Sequence, residues 1–179
     1  YGCSKGVADF YCQEYYKSFN IKSVILRQSC IYGPMQLGIE DQGWIAWFVI
    51  ASLLNKQINI YGDGNQVRDA LYVDDLIDAY LKVANSKVTN GNVYNIGGGF
   101  NNKISIKNLI LILEKKLNKK IKIKYFKERK GDQKIFISNN NKLKKEFNWK
   151  PKTSLDMGLN QTIKWLENNL DFVKKINRL

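Results

Sequence analysis

Residues 58–84 read INIYGDGNQVRDALYVDDLIDAYLKVA. Ile58 to Tyr61 is a short β-branched and aromatic run, which predicts a strand. Gly62-Asp63-Gly64-Asn65 is a turn by composition. Val67 to Val73 is extended again. Asp74 is placed to cap a helix over Asp75 to Ala84. Strand, turn, strand and helix thus follow one another within 27 residues. The same alternation continues on both sides, and it predicts an α/β fold.

Upstream, Tyr1 to Phe19 contains no Pro and reads as a helix, stopped at Asn20. Tyr1, Lys5, Ala8, Cys12, Tyr15 and Phe19 share one of its faces. Lys22 to Arg27 predicts a buried strand, and Gln28 to Pro34 a loop. Trp44 to Leu54 is apolar nearly all round, so it reads as a helix buried between other elements. Downstream, Asn92 to Ile96 predicts a strand that runs into Gly97-Gly98-Gly99. Ser105 is set to cap a helix with Ile106, Leu109, Ile110, Leu113 and Leu117 on its inner face. Ile121 to Phe126 alternates like a strand. Lys142 to Phe147 reads as a short helix, and Ser154 caps a long one with Leu155, Leu159, Ile163 and Leu166 inward.

The chain has 179 residues, is 44% hydrophobic and carries a formal charge of +13. That apolar content is enough for a real core. The charge is uneven: residues 1–100 carry a net −1 and residues 101–179 a net +14. Such asymmetry can mark a surface for polyanions. The second half is also rich in Lys, Asn and Ile throughout, so compositional bias accounts for it without a partner. It has no aromatic interleaving of the RNA-binding kind and no helix-turn-helix signal. We expect no nucleic-acid partner.

There is no His. This excludes Ser-His-Asp and Cys-His catalysis and any His-based metal site. Any general acid or base must be Tyr, Lys, Asp, Glu or Cys. Cys3, Cys12 and Cys30 form no C-x-x-C pair and are odd in number, which fits reduced thiols in the cytoplasm. The apolar run at 44–54 is far short of the roughly 20 residues that span a bilayer, so no membrane partner is expected.

Tyr1 and Lys5 form a Y-x-x-x-K pair, one helical turn apart on one face. An ammonium beside a phenol favours the phenolate, so such a Tyr can exchange a proton with a substrate hydroxyl. The pair by itself is equally an ordinary surface pair. By themselves, Arg68 beside Asp69 reads as a surface ion pair, and Arg129 as part of a solvated charge run.

The order of motifs adds to this. Tyr1-Gly2-Cys3-Ser4-Lys5 is followed by Tyr32-Gly33-Pro34, Gly62-Asp63-Gly64, Val67-Arg68-Asp69, Val73-Asp74-Asp75 and Tyr94-Asn95-Ile96-Gly97-Gly98-Gly99. Arg129-x-Gly131-Asp132 and Trp149-x-Pro151 complete the series. Over its whole length the chain resembles the extended short-chain dehydrogenase/reductases that act on nucleotide sugars. Gln36, Asp41-Gln42-Gly43-Trp44 and Gln66-Val67-Arg68-Asp69 resemble the CDP-paratose 2-epimerase branch of that family.

The resemblance implies the C-terminal part of a Rossmann-like NAD-binding domain, joined to a small mixed α/β substrate-binding domain. The last Rossmann elements would interleave with that domain across residues 1–179, and the dinucleotide-binding half would precede Tyr1. It implies Tyr1 as the catalytic acid/base, with Lys5 binding the nicotinamide ribose and tuning Tyr1. Gln28, Ser29 and Cys30 would lie by the cofactor, NAD. Cys30, where many relatives carry Asn, would also face the sugar. Arg68 and Arg129 would grip the diphosphate of a nucleotide sugar, Asp132 would accept from its ribose, and Gln36 would touch the substrate. The reaction implied is epimerisation at C2 of a CDP-dideoxyhexose, through transient oxidation to a keto sugar and re-reduction on the opposite face. A homo-oligomer is implied as well. A 4-epimerase, 4,6-dehydratase or decarboxylase of the same family, and an inactive oligomerisation module, are the alternatives.

Overall fold

A computed structural model of the chain describes residues 2–87 and 91–176. The first helix, α1 (Gly2–Phe19), ends where Asn20 takes a left-handed φ of 52°. Then come β1 (Ile25–Gln28), β2 (Cys30–Tyr32), α2 (Trp44–Leu53), β3 (Ile58–Tyr61), β4 (Val67–Tyr72), α3 (Val73–Ala84) and β5 (Val93–Ile96). The remainder is β6 (Lys103–Ser105), α4 (Ile106–Leu117), β7 (Ile123–Phe126), β8 (Ile135–Phe136), α5 (Asn141–Phe147), α6 (Leu155–Asn168) and α7 (Leu170–Ile176).

The pairing is mostly parallel, as expected when helices join successive strands. β1 pairs with β5, and β3 with β7, both in parallel. β4 is the hub of a third sheet: β2 and β8 lie parallel to it and β6 antiparallel. The chain is therefore mixed α/β with parallel sheets, in line with the alternation of elements.

Two apolar clusters hold it together. The larger gathers α2, α4 and α6 over β3 and β4, through Val49, Ile50, Ile60, Leu109, Leu113 and Leu159. The smaller packs α3 and α5 on β5, through Leu76, Tyr94, Leu143 and Trp149. Ser105 and Ser154 cap α4 and α6 as expected, accepting from the backbone N–H of Asn108 at 3.2 Å and Met157 at 3.3 Å.

Several expectations are corrected. The predicted loop over Gln28 to Pro34 contains strand β2, because Cys30, Ile31 and Tyr32 find Ala70, Leu71 and Tyr72 alongside. β6 and β8 were not anticipated; at three and two residues they carry almost no local pattern. Asp74 is not the cap of α3: the N-cap is Tyr72, with no side-chain bond, and the helix starts at Val73. The predicted α1 face that includes Ala8, Cys12, Tyr15 and Phe19 is turned to solvent; Gly6, Asp9, Gln13 and Tyr16 are the partly covered positions. Among the described residues no helix is long and apolar enough to cross a membrane.

Candidate functional site

A cavity of about 390 Å³ opens where the start of α2 faces β3, the start of β4 and the loop at 129–132. It brings together three residues singled out in the sequence: Arg68, Arg129 and Asp132. Arg68 lies on β4, sixty-odd residues before the loop that carries the other two. The loop turns at Gly131, whose φ of 77° is open to glycine at little cost, and the Asp132 N–H donates to the Arg129 carbonyl at 3.2 Å. The turn thus presents a cation and a carboxylate to the same space.

The arginines are held differently. Arg68 Nη2 donates to Asp132 Oδ1 at 2.7 Å, and Gln66 Nε2 donates to the other oxygen at 3.3 Å. The Arg129 guanidinium carbon lies over the Tyr61 ring, 4.0 Å from its centroid, and Arg129 donates to Asp41 Oδ1 at 2.8 Å. Tyr61 is itself stacked on Phe126, with centroids 5.5 Å apart. Tyr61 first, and Asp41 after it, raise the already high pKa of Arg129, so its charge is permanent. Two fixed guanidinium forks in one cavity are suited to the oxygens of a diphosphate.

Glu40, Asp41, Asn59, Tyr61 and Gln66 also line this cavity and were not foreseen as site residues. Glu40 accepts from Asn59 Nδ2 and from the Tyr61 hydroxyl, at 3.0 and 2.8 Å. The alternating pattern of β3 could have shown that Asn59 and Tyr61 point together, away from buried Ile58 and Ile60. Nothing local ties Glu40 to them.

The remaining residues lie elsewhere. Lys5 and Gln28 line a second, open cavity of about 670 Å³ between α1 and β1. The Gln28 amide donates to the Tyr80 hydroxyl. Ser29 is committed to Asp69, donating to Oδ1 at 2.5 Å. Cys30 is reached by the indole N–H of Trp44 at 3.0 Å. Burial pushes its thiol up to about 11; Trp44 opposes the shift, Asp69 adds to it, and Arg68 opposes it. Gln36 donates to the Ile31 carbonyl at 3.1 Å, and its buried Oε1 has no partner among the described residues. Gln36 does not line the cavity of Arg68 and Arg129. Tyr1 lies outside the described residues.

Asp69 proves to be structural. It is fully buried and accepts from Ser29, Gly99 N at 2.9 Å and Ser138 N at 3.1 Å. The surface ion pair with Arg68 is not formed: Arg68 pairs with Asp132 instead. The glycine run at 97–99 follows β5 and packs against Asp69, Ser138 and Ala70, so it is a close-packed turn. No group of three or more Cys, Asp or Glu among the described residues is placed to hold a metal ion.

The profile of a protein family described as GDP-mannose 4,6 dehydratase matches residues 1–162. The chain belongs to this family of nucleotide-sugar epimerases and dehydratases. Among the family's members, CDP-paratose 2-epimerase of Salmonella typhi is 36% identical to it over 171 residues, covering 92% of this chain and 51% of that protein. A UDP-glucuronate 4-epimerase from Thermodesulfobacterium geofontis is 34% identical, covering 98% and 53%. The crystal structure of UDP-glucuronic acid 4-epimerase from Bacillus cereus, in complex with UDP-glucuronic acid and NAD, superposes with a TM-score of 0.84 at 31% identity, covering 94% of this chain and 52% of that one. The chain spans about half the length of the relatives it matches.

Proposed function

We propose that this chain is the C-terminal half of an NAD-dependent nucleotide-sugar epimerase, with Rossmann and substrate-domain elements interleaved over residues 1–179. The observation that carries the reading is the convergence of Arg68, Arg129 and Asp132 on one cavity, from segments far apart in the chain. The two guanidinium groups hold the diphosphate, and Asp132 accepts from a ribose hydroxyl once Arg68 turns to phosphate. The relatives at 36% and 34% identity support the reaction class.

The residues also fit NAD. β1 and β5 run parallel, and the carboxyl end of such a pair is where α/β folds bind ligands. Gln28 stands at that end of β1, and Lys5 lines the same open cavity. Bound NAD supplies reversible hydride transfer. Lys5 holds the ribose and assists Tyr1, which moves the proton of the sugar hydroxyl. Ser29 and Cys30 lie by the cofactor with Gln28, and Cys30 and Gln36 contact the sugar.

The substrate we infer is a CDP-dideoxyhexose inverted at C2. It follows the likeness of Gln36, Asp41 to Trp44 and Gln66 to Asp69 to the CDP-paratose branch. The three cysteines are free, in keeping with a reducing cytoplasm. A homo-oligomer is part of the same reading.

The test uses the full-length protein that carries this chain. It should release NAD on denaturation and interconvert CDP-paratose and CDP-tyvelose. Tyr1→Phe should abolish turnover with NAD still bound. Absence of both dinucleotide and epimerisation sinks the proposal. Turnover of UDP-sugars alone, at C4, moves the assignment to the 4-epimerases of the family.

A further inference from the structure

One wall of the arginine cavity is left unused by a diphosphate and a ribose. Glu40 lines it together with Trp44, Phe48 and Tyr61. Its Oε1 accepts from Asn59 Nδ2 at 3.0 Å and from the Tyr61 hydroxyl at 2.8 Å. Its Oε2 accepts from the same Asn59 nitrogen at 3.1 Å. A carboxylate offers about four acceptor positions, so these bonds leave one, on Oε2. The donors also fix the group: Asn59 stands on β3 and is spent on Glu40 and on a contact from Gln57. An ionised carboxylate donates nothing, so this wall can only accept.

Tyr61 separates the two chemistries of the cavity. Its ring face carries Arg129, and its hydroxyl meets Glu40. A ligand with its anionic part at the arginines therefore reaches toward Glu40 along the aromatic face of the cavity. Trp44 and Phe48 form that face in edge-to-face contact, with centroids 5.6 Å apart.

We propose that Glu40 reads the base of the nucleotide sugar, accepting from the exocyclic amino group of cytosine and rejecting uracil and thymine. At the same ring position uracil and thymine present a carbonyl oxygen. Facing a carboxylate, that oxygen leaves two acceptors opposed and both without a donor, which is the arrangement that discriminates most strongly between near-isosteres. The proposal rests on reading the cavity as the nucleotide site, and it adds a residue that sets the base. Asn59 and Tyr61 are positioning residues for Glu40.

The experiment is calorimetric titration of the full-length protein with CDP, UDP and GDP, and with the 4-deamino analogue of CDP. The wild type should bind CDP at least about tenfold more tightly than UDP or the analogue. In Glu40→Gln the amide can turn its NH₂ toward a carbonyl, so the CDP to UDP ratio should fall to within about threefold. Equal or tighter binding of UDP or of the analogue by the wild type overturns the proposal and needs no variant. An unchanged ratio in Glu40→Gln also overturns it, while CDP binding that depends on Arg68 and Arg129 leaves the nucleotide site standing. Failure of every nucleoside diphosphate to bind removes the site itself.

Discussion

Three donors from three separate segments converge on Asp69: the Ser29 hydroxyl, Gly99 N–H and Ser138 N–H. Asp69 is fully buried, as is Ser138, and the Gly99 and Ser138 N–H groups have no other acceptor among the described residues. Asp69→Ala strands the Gly99 and Ser138 N–H groups, while Ser29 keeps the Asp69 backbone carbonyl at 3.1 Å, and at about 1–3 kcal/mol for each unsatisfied buried group the chain should lose at least about 2 kcal/mol. Asp69→Asn keeps one acceptor oxygen and should cost less. Urea denaturation of both variants checks this; an Ala variant within about 1 kcal/mol of wild type would mean that Asp69 is not a hub. Cys30 gives a second prediction at this scale. Its folded pKa is raised to about 11, so the neutral thiol is favoured by the fold. That contribution is fully present below the unfolded thiol's pKa near 9 and is lost as pH rises toward 11. Iodoacetamide at pH 8 should therefore modify exposed Cys3 and Cys12 well before Cys30, and labelling of Cys30 should climb as pH approaches 11. Comparable labelling of all three at pH 8 would show that the Cys30 thiol is not sequestered.

At the scale of elements, α6 is seated by a missing side chain. A Cβ on Gly158 would run into the Tyr32 hydroxyl and the Tyr72 ring. Gly158→Ala gains about 1 kcal/mol of helix propensity, against an overpacking cost of about 1–3 kcal/mol. The net change in denaturation midpoint should be a loss, and Tyr32→Phe in the same chain should recover part of it by removing the blocking oxygen. A stabilised single variant, or strictly additive effects, would place the helix further from the sheet than the geometry does. How far the elements could be read from sequence follows their length and their partners. The strand Ile58 to Tyr61 and the Ser105 and Ser154 caps depend on neighbours within a few residues, and they lie where local pattern put them. β2, β6 and β8 exist because β4 offers them an edge, which no three-residue pattern announces. Asp75 makes the same point within one residue. It sits beside the position expected to cap α3, yet its carboxylate is turned to the Thr153 N–H at 2.9 Å, from a segment 78 residues away. In the site, Arg68, Arg129 and Asp132 were visible as motif residues. Glu40, Asn59 and Tyr61 were not, because their association is made by the packing of a loop on β3.

Across the whole molecule stability is unevenly spread, and Lys5, expected from the sequence to act in catalysis, falls on its weak side. α1 has no buried residue, and Val7, Phe10, Tyr11, Tyr15 and Phe19 are exposed along it. It is tied down by Asp9 to Arg27 Nε at 2.6 Å and by Ser23 Oγ to the Cys12 carbonyl at 3.2 Å. The ion pair holds the Asp9 carboxyl below its usual range, but Arg27 is half exposed, so the pair contributes no more than about 1 kcal/mol. α2, by contrast, is buried over most of its length. Amide hydrogen exchange of the 179-residue chain should therefore be fast over 2–19 and slow over 44–53. Asp9→Asn should speed exchange of the first segment by up to about fivefold and leave the second unchanged. Equal protection of both segments would show that α1 is held as firmly as the core. The same contrast bears on function. The arginine cavity is built on β3, β4 and α2, inside the packed part, whereas Lys5 rides on α1. The 179-residue chain should then retain affinity for CDP, lost in Arg68→Ala and Arg129→Ala, and yet turn over no nucleotide sugar when NAD is added. Turnover by this chain would show that the exposure of α1 does not keep Lys5 from its role.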